Sequence, residues 1–228
     1  MPSVTGNWKL SPSDFAFLWE ECKRCFYLKV VAGFGRPRGA MPRIFTVIDS
    51  RMKDFYAGMR TERMSPGLPP GVVEHGEKWV ECRPISIAGR ESTCYVKGKF
   101  DTVVRFDDGS YGVIDFKTSE QKPDSLRKYA RQLHAYARAL EDPAPGKLAL
   151  SPVSRLGLLV FEPAVYAQTG TAVDLSGSVA WVEIPRDDGG FMTFLGRVLD
   201  LLDQPEPPPA NPKCEWCRYR ETSRRSGL

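Results

Sequence analysis

The stretch GKFDTVVRFDDGSYGVIDFKT, residues 98–118, decides how this chain folds. Runs of Val, Ile, Tyr and Phe flank Asp107-Asp108-Gly109, and a three-residue turn with glycine in the left-handed conformation commonly joins antiparallel strands. If Phe106 pairs with Ser110, Asp101 falls opposite Asp115. Side chains alternate along a strand, so Asp101, Asp115, Lys99, Val103, Val113 and Lys117 are expected on one face. Phe100, Val104, Phe106, Ile114 and Phe116 are expected on the other. One face then carries core and the other chemistry. A two-residue turn would slip the register by one and swing Asp115 and Lys117 away from Asp101. Opposed carboxylates repel unless a cation lies between them. Oxygen ligands of this kind suit Mg²⁺ or Mn²⁺. Lys117, on the same face as Asp115, is placed to act on a water and to offset charge building on phosphorus.

Working outward, Lys78 to Lys117 reads as an antiparallel meander broken at Ala88-Gly89-Arg90 and at the turn. Upstream, Ser11-Pro12-Ser13-Asp14 has the composition of a helix start. Phe15, Leu18, Trp19, Cys22 and Phe26 recur at helical spacing, predicting one amphipathic helix over residues 12–31. A Gly/Pro/Arg loop spans residues 33–42, and Ile44, Val47, Ile48, Met52 and Phe55 form a second helical stripe before a Pro/Gly breaker at residues 64–71. Downstream, Leu126, Tyr129, Ala130, Leu133, Ala137 and Leu140 predict a helix over 124–141. Strands are expected at 156–161 and 179–184, and a last helix at 191–202. Five prolines within residues 205–212 make a stiff, extended linker into a cysteine-bearing tail.

Composition narrows the classes. The 228 residues are 42% apolar and 26% charged, enough for one sizeable core without disulfide staples. The longest apolar run, Leu156 to Phe161, falls far short of the ~20 residues that span a bilayer. Residues 1–9 lack the pattern of a secretory signal, so a reducing cytoplasm is the expected setting. There, paired cysteines favour metal over disulfides. Cys22-Lys-Arg-Cys25 and Cys214-Glu-Trp-Cys217 supply the four thiolates of a closed zinc site or a [4Fe-4S] cluster. The 188 residues between the pairs make such a site a clip that pins the tail to the first helix. Cys82 and Cys94, on predicted strands, read as small buried residues.

Gly98-Lys-Phe-Asp101, Ile114-Asp115-Phe-Lys117-Thr-Ser119 and Gln132-Leu-His-Ala-Tyr136, in that order, resemble the PD-(D/E)XK nuclease superfamily, and in particular its RecB-type and CRISPR-associated exonuclease domains. The resemblance implies an α/β core with a central mixed sheet flanked by helices. It covers the nuclease motifs at residues 94–140 in detail and the clip segments at 11–31 and 213–220 more loosely, and it implies that residues 1–228 form one domain. It implies Mg²⁺- or Mn²⁺-dependent hydrolysis of DNA, more as exonuclease than endonuclease, with DNA and proteins of a repair, recombination or defence complex as partners. By position, Asp101 and Asp115 bind the metal, the Phe116 carbonyl is an added ligand, Lys117 assists hydrolysis, and Gln132 and Tyr136 lie along the strand. Lys128 and Arg131 contact phosphates, as basic residues on such a helix can without reading sequence. A further upstream ligand is His75 or Asp49. Iron–sulfur members of these families tie an early helix to a late tail, but with one cysteine early and three late. The two-and-two division here keeps zinc as the alternative to the expected [4Fe-4S] cluster. A chain with this fold and a weak metal site, serving as a DNA-holding or assembly subunit, is the alternative.

Overall fold

The computed structural model describes residues 5–37, 39, 41–118 and 123–227; Ser119 of the second motif lies outside them. In chain order the elements are β1 (Asn7–Leu10), α1 (Pro12–Ala16), α2 (Leu18–Glu21), α3 (Lys23–Val31), α4 (Arg43–Tyr56), β2 (Gly71–His75), β3 (Lys78–Glu81) and β4 (Ile85–Ser86). There follow β5 (Thr93–Phe100), β6 (Thr102–Phe106), β7 (Tyr111–Thr118), α5 (Pro123–Glu141), β8 (Val153–Thr169), β9 (Ala172–Ile184), α6 (Asp188–Leu202) and α7 (Glu215–Arg225).

The turn between β6 and β7 forms as its residues dictate. Gly109 takes φ 86°, its amide donates to Phe106 O at 3.0 Å, and Phe106 N donates to Ser110 O at 2.8 Å. Thr102 therefore faces Ile114 and Val103 faces Val113, the register a three-residue loop sets. β6 and β7 are the middle of a mixed five-stranded sheet in the order β2-β6-β7-β8-β9, in which only β7 and β8 run parallel. Asp101 is not inside a strand. It is the single residue between β5 and β6, where the chain leaves a smaller sheet built on β5 with β1, β3 and β4 and enters the larger one.

That break corrects the division of faces. Val103 and Val113 pack with Leu133, Ala137 and Leu140 of α5 in the main core, and Phe100 joins them. Val104, Phe106, Ile114 and Phe116 pack on the opposite side with Tyr56, Met64 and Leu68. Both faces of the hairpin are core, and chemistry is confined to the end where Asp101 interrupts the strand.

The expected helix over 12–31 is three short helices. Pro12 starts α1 as anticipated, but Ser11 makes no side-chain cap, and Asp14 bonds Lys29 at 2.6 Å and 2.7 Å. The path breaks at Phe17 (φ −114°, ψ −68°) and at Cys22, which is extended (φ −162°, ψ 109°). β8 and β9 run well past the predicted strands into a long hairpin of mostly exposed residues; a bulge at Pro163/Val165 lets the ladder continue beyond the proline. The apolar stripe of α4 is half exposed, with Ile44, Val47 and Phe55 open to solvent. Among the described residues no helix is long and apolar enough to cross a membrane.

Candidate active site

Asp101, Asp115, Lys117, Gln132 and Tyr136 line one cavity of about 430 Å³, together with Asp49, Lys53, Lys99 and Phe116. Asp115 is held on β7 beside Leu158 of β8 and is only 3% exposed. Asp101 Oδ2 accepts a hydrogen bond from Phe116 N at 3.1 Å, which ties the residue leaving β5 to the strand carrying Asp115. The Lys117 ammonium pairs with Asp115 Oδ2. Gln132 stands on the inner face of α5 and its Nε2 donates to Asp115 Oδ1 at 3.0 Å. One helical turn on, Tyr136 donates its hydroxyl to Lys99 O at 2.8 Å. Gly98 explains why this wall closes: a Cβ there would lie 2.7 Å from Pro12 Cδ and 3.2 Å from Tyr136 Cε1.

Burial pushes the Asp115 carboxyl up to about 6, with the Asp101 charge adding to the rise and the Lys117 ammonium opposing it. Burial acts to lower Lys117, but the Asp115 and Asp101 carboxylates outweigh it and hold its ammonium above the usual lysine range. The excess of acid around the cavity is balanced by Lys53, which donates to Asp49 Oδ2 and Glu77 Oε1, each at 2.7 Å, and lies 2.9 Å from Asp101 Oδ1. Despite burial, which acts the other way, its hydrogen bonds to Asp49 and Glu77 hold that ammonium above its ordinary value. Asp49 and Asp101 thus converge on a single cation. The donors around it are all oxygens, the set that Mg²⁺ or Mn²⁺ prefers, and Gln132 Oε1 is buried nearby with no hydrogen-bond partner. The residues present fit a divalent ion.

A sequence model of the PD-(D/E)XK nuclease superfamily matches residues 48–222, most of the chain and all of this constellation. The chain belongs to that superfamily. Among solved structures it is similar to one described as the crystal structure of SSO0001, at 17% identity and a TM-score of 0.47, over 93% of this chain and 84% of that one. No curated protein matches it significantly.

Of the two upstream ligand candidates in this PD-(D/E)XK domain, Asp49 lines the cavity and His75 does not. His75 sits on β2 opposite Val103, with Nδ1 3.1 Å from Lys78 Nζ. Gln132 and Tyr136 are buried, their polar ends engaged with Asp115 and Lys99. Lys128 stacks near Phe17 and Tyr129, and Arg131 pairs with Glu20 and lies over Phe194. His134, on the same helix, faces away: Nδ1 donates to Ala130 O and Nε2 accepts from Asp187 N, both at 2.7 Å. Lys53 and Glu77 were not anticipated from sequence; the Asp49-x-x-x-Lys53 spacing, which stacks the two on one helix face, is the signal that points to the lysine.

The four clip cysteines converge, with every pair of Sγ atoms within 4.8 Å. Cys22 to Cys217 is 3.6 Å, and Cys25 lies 3.7 Å from both Cys214 and Cys217. The two C-x-x-C pairs are built alike. Cys22 and Cys214 are the extended N-caps of α3 and α7, and Cys25 and Cys217 fall in the first turns. Both helices therefore aim their N-terminal amides at the sulfurs, an environment that favours thiolate. Burial acts against this at Cys22, yet backbone amides of Asn211 and Cys25 bring its thiol down to about 6, whereas at Cys25 and Cys217 burial prevails and pushes the thiols up. Arg36 donates to Cys214 Sγ at 3.3 Å and Arg220 to Cys25 Sγ at 3.0 Å, further offsetting negative charge. Four sulfurs with cationic donors behind them fit a bound metal. Cys82 and Cys94 are buried elsewhere, as read from sequence.

Proposed function

We propose that this protein is a Mg²⁺- or Mn²⁺-dependent deoxyribonuclease of the RecB-like branch that includes the CRISPR-associated exonucleases. It acts on single-stranded or end-bearing DNA, as an exonuclease within repair, recombination, mobile-element or defence processing, alongside partner proteins of those complexes. The observation that carries this reading is the meeting of Asp101, Asp115 and Lys117 in one cavity, with Gln132 gripping Asp115. Asp101, Asp115 and Asp49 would hold the divalent ion, which when bound supplies a Lewis acid at the scissile phosphate. Lys117, kept protonated by its neighbours, orients water for attack and steadies charge on the phosphoryl oxygens. Gln132 fixes the carboxylate plane of Asp115, and Tyr136 and Gly98 fix the strand end that carries Lys99.

The sulfur spacing of the clip favours a single metal ion over a cluster. A tetrahedral site with metal–sulfur bonds of about 2.3 Å has sulfur–sulfur edges of about 3.8 Å, whereas an iron–sulfur cubane sets its four thiolates farther apart. In this reading zinc displaces the [4Fe-4S] cluster expected from the sequence, which becomes the alternative. Metal analysis and the absorbance spectrum of anaerobically purified protein separate them.

One observation supports a second reading. The Lys53 ammonium stands where Asp49 and Asp101 converge, as it would in a binding or assembly subunit that never takes up a divalent ion. Incubation with labelled single- and double-stranded DNA in Mn²⁺, Mg²⁺ or EDTA tests both. Cleavage that requires the divalent ion and disappears in Lys117→Met supports the nuclease. DNA binding without cleavage in any cation would overturn it in favour of the second reading.

A further inference from the structure

Outside the catalytic cavity, an aromatic pair capped by a cation adjoins Lys117. Phe17 occupies the break between α1 and α2. The break leaves this large apolar ring 41% exposed. Tyr129 of α5 meets it edge-on, with centroids 6.0 Å apart at 75°. The Lys128 ammonium lies 5.5 Å from the Phe17 centroid and 5.1 Å from that of Tyr129. On its other side the Tyr129 ring is 4.9 Å from Lys117 Nζ, so the pair adjoins the catalytic lysine. Farther along α5, Arg127 and Arg131, with Arg197 of α6, line a second cavity of about 430 Å³.

We propose that Phe17, Tyr129 and Lys128 form a platform on which bases of single-stranded nucleic acid stack as the strand enters the cavity at Lys117. The inference rests on the nuclease reading and names the strandedness of its substrate. An exposed ring flanked by cations is the arrangement that tracks a single strand: the cations follow phosphates while the ring takes the face of a base. A duplex offers the same phosphates but keeps its base faces stacked inside. Charge also selects this side of the molecule. Residues 157–182, which form most of β8 and β9, contain no Lys or Arg and carry Glu162 and Asp174, while Glu183 is paired with Arg155 and lines the second cavity. A polyanion is repelled from that edge and drawn to α5.

The test uses the full chain in buffer with neither added divalent cation nor chelator, so that binding is read without cleavage and the clip is left intact, with fluorescently labelled oligo-dT and a blunt duplex as probes in anisotropy titrations. Base–aromatic stacking contributes about 1–3 kcal/mol, so Phe17→Ala should weaken oligo-dT binding by roughly 5- to 150-fold. It should leave duplex binding within about twofold, and Phe17→Trp should restore the wild-type value. Phe17→Leu keeps the apolar bulk and loses the π face, so it should behave like Phe17→Ala even if the smaller residue loosens the fold. Lys128→Ala should lower the salt dependence of oligo-dT binding by about one phosphate contact. Wild-type affinity in both Phe17→Leu and Phe17→Ala, equal loss for single strand and duplex, or no rescue by Trp would overturn the platform. Cleavage by the wild type in Mn²⁺ is scored separately. Its absence with Phe17-dependent oligo-dT binding defeats only the nuclease reading, and cleavage with Phe17-independent binding defeats only the platform.

Discussion

Gly98→Ala is the substitution whose outcome the structure fixes most tightly. The added methyl would sit 2.7 Å and 2.9 Å from Pro12 Cδ and Cγ and 3.2 Å from Tyr136 Cε1. Neither neighbour is the free end of a flexible chain. Pro12 is the first residue of α1, and Tyr136 is anchored by its hydroxyl to Lys99 O. Alanine in a strand gains about 0.5–1 kcal/mol over glycine from lost backbone freedom, while forcing a methylene into a packed wall costs about 1–3 kcal/mol. The midpoints of these ranges leave a net loss of about 1 kcal/mol, equivalent to roughly 2–4 °C in a domain of this size. Urea unfolding followed by circular dichroism measures it. The cause is isolated by Pro12→Ala, which removes both ring atoms. In that background Gly98→Ala should cost less by at least about 0.5 kcal/mol, since residues in contact do not add. An unchanged or raised midpoint for Gly98→Ala, or strict additivity in the double variant, would refute the argument.

Other consequences are as direct. Asp101→Ala and Lys117→Met should abolish metal-dependent cleavage with an unaltered far-ultraviolet spectrum, and retained cleavage in either would count against the assigned site. Gln132→Leu removes the donor to a buried carboxylate and should lower the unfolding free energy without added Mg²⁺ or Mn²⁺ by about 1–3 kcal/mol, read from urea titrations. Thiol titration should separate the six cysteines. Chelation frees the four clip thiols to react, while Cys82 and Cys94 stay silent until the chain unfolds, because burial pushes the Cys94 thiol up to about 12 and leaves it protonated through pH 10. Cys217→Ser should release the bound metal and open the segment after Asp203 to limited proteolysis.

The β6–β7 hairpin was legible because a single dipeptide-plus-glycine turn sets the register of every residue around it. The convergence of Asp101 with Asp115 followed. The partition into one core face and one chemical face did not survive, since alternation assumes an unbroken strand and the chain changes sheets at Asp101. The same limit applies at the other end of the chain. Helical periodicity runs smoothly from Phe15 to Phe26, yet the backbone breaks at Phe17 and Cys22, and the second break lets Cys22 cap α3 so that both cysteines face one point. Periodicity reports which residues are apolar and is blind to a cap imposed by a partner 195 positions away. The outer part of the β8–β9 hairpin was hidden for a different reason. Pro163 and Gly177 are residue types that disfavour a strand interior, and exposed on both faces the segment has no buried side to impose alternation. Lys53 carried a faint signal in its spacing from Asp49, but the closeness of Glu77 depends on how β2 and β3 meet and has no local signature.

The clip encloses nearly the whole folding unit within a loop from Cys25 to Cys214, and this would make a metal held there a reporter on distant packing. Because the four sulfurs meet only when the chain between them is folded, grip on the ion and resistance to unfolding share one free energy. A methyl group wedged behind Tyr136, far from any sulfur, should therefore make the ion leak to a chelator faster, and a tightly held ion should in turn mask damage to the sheet.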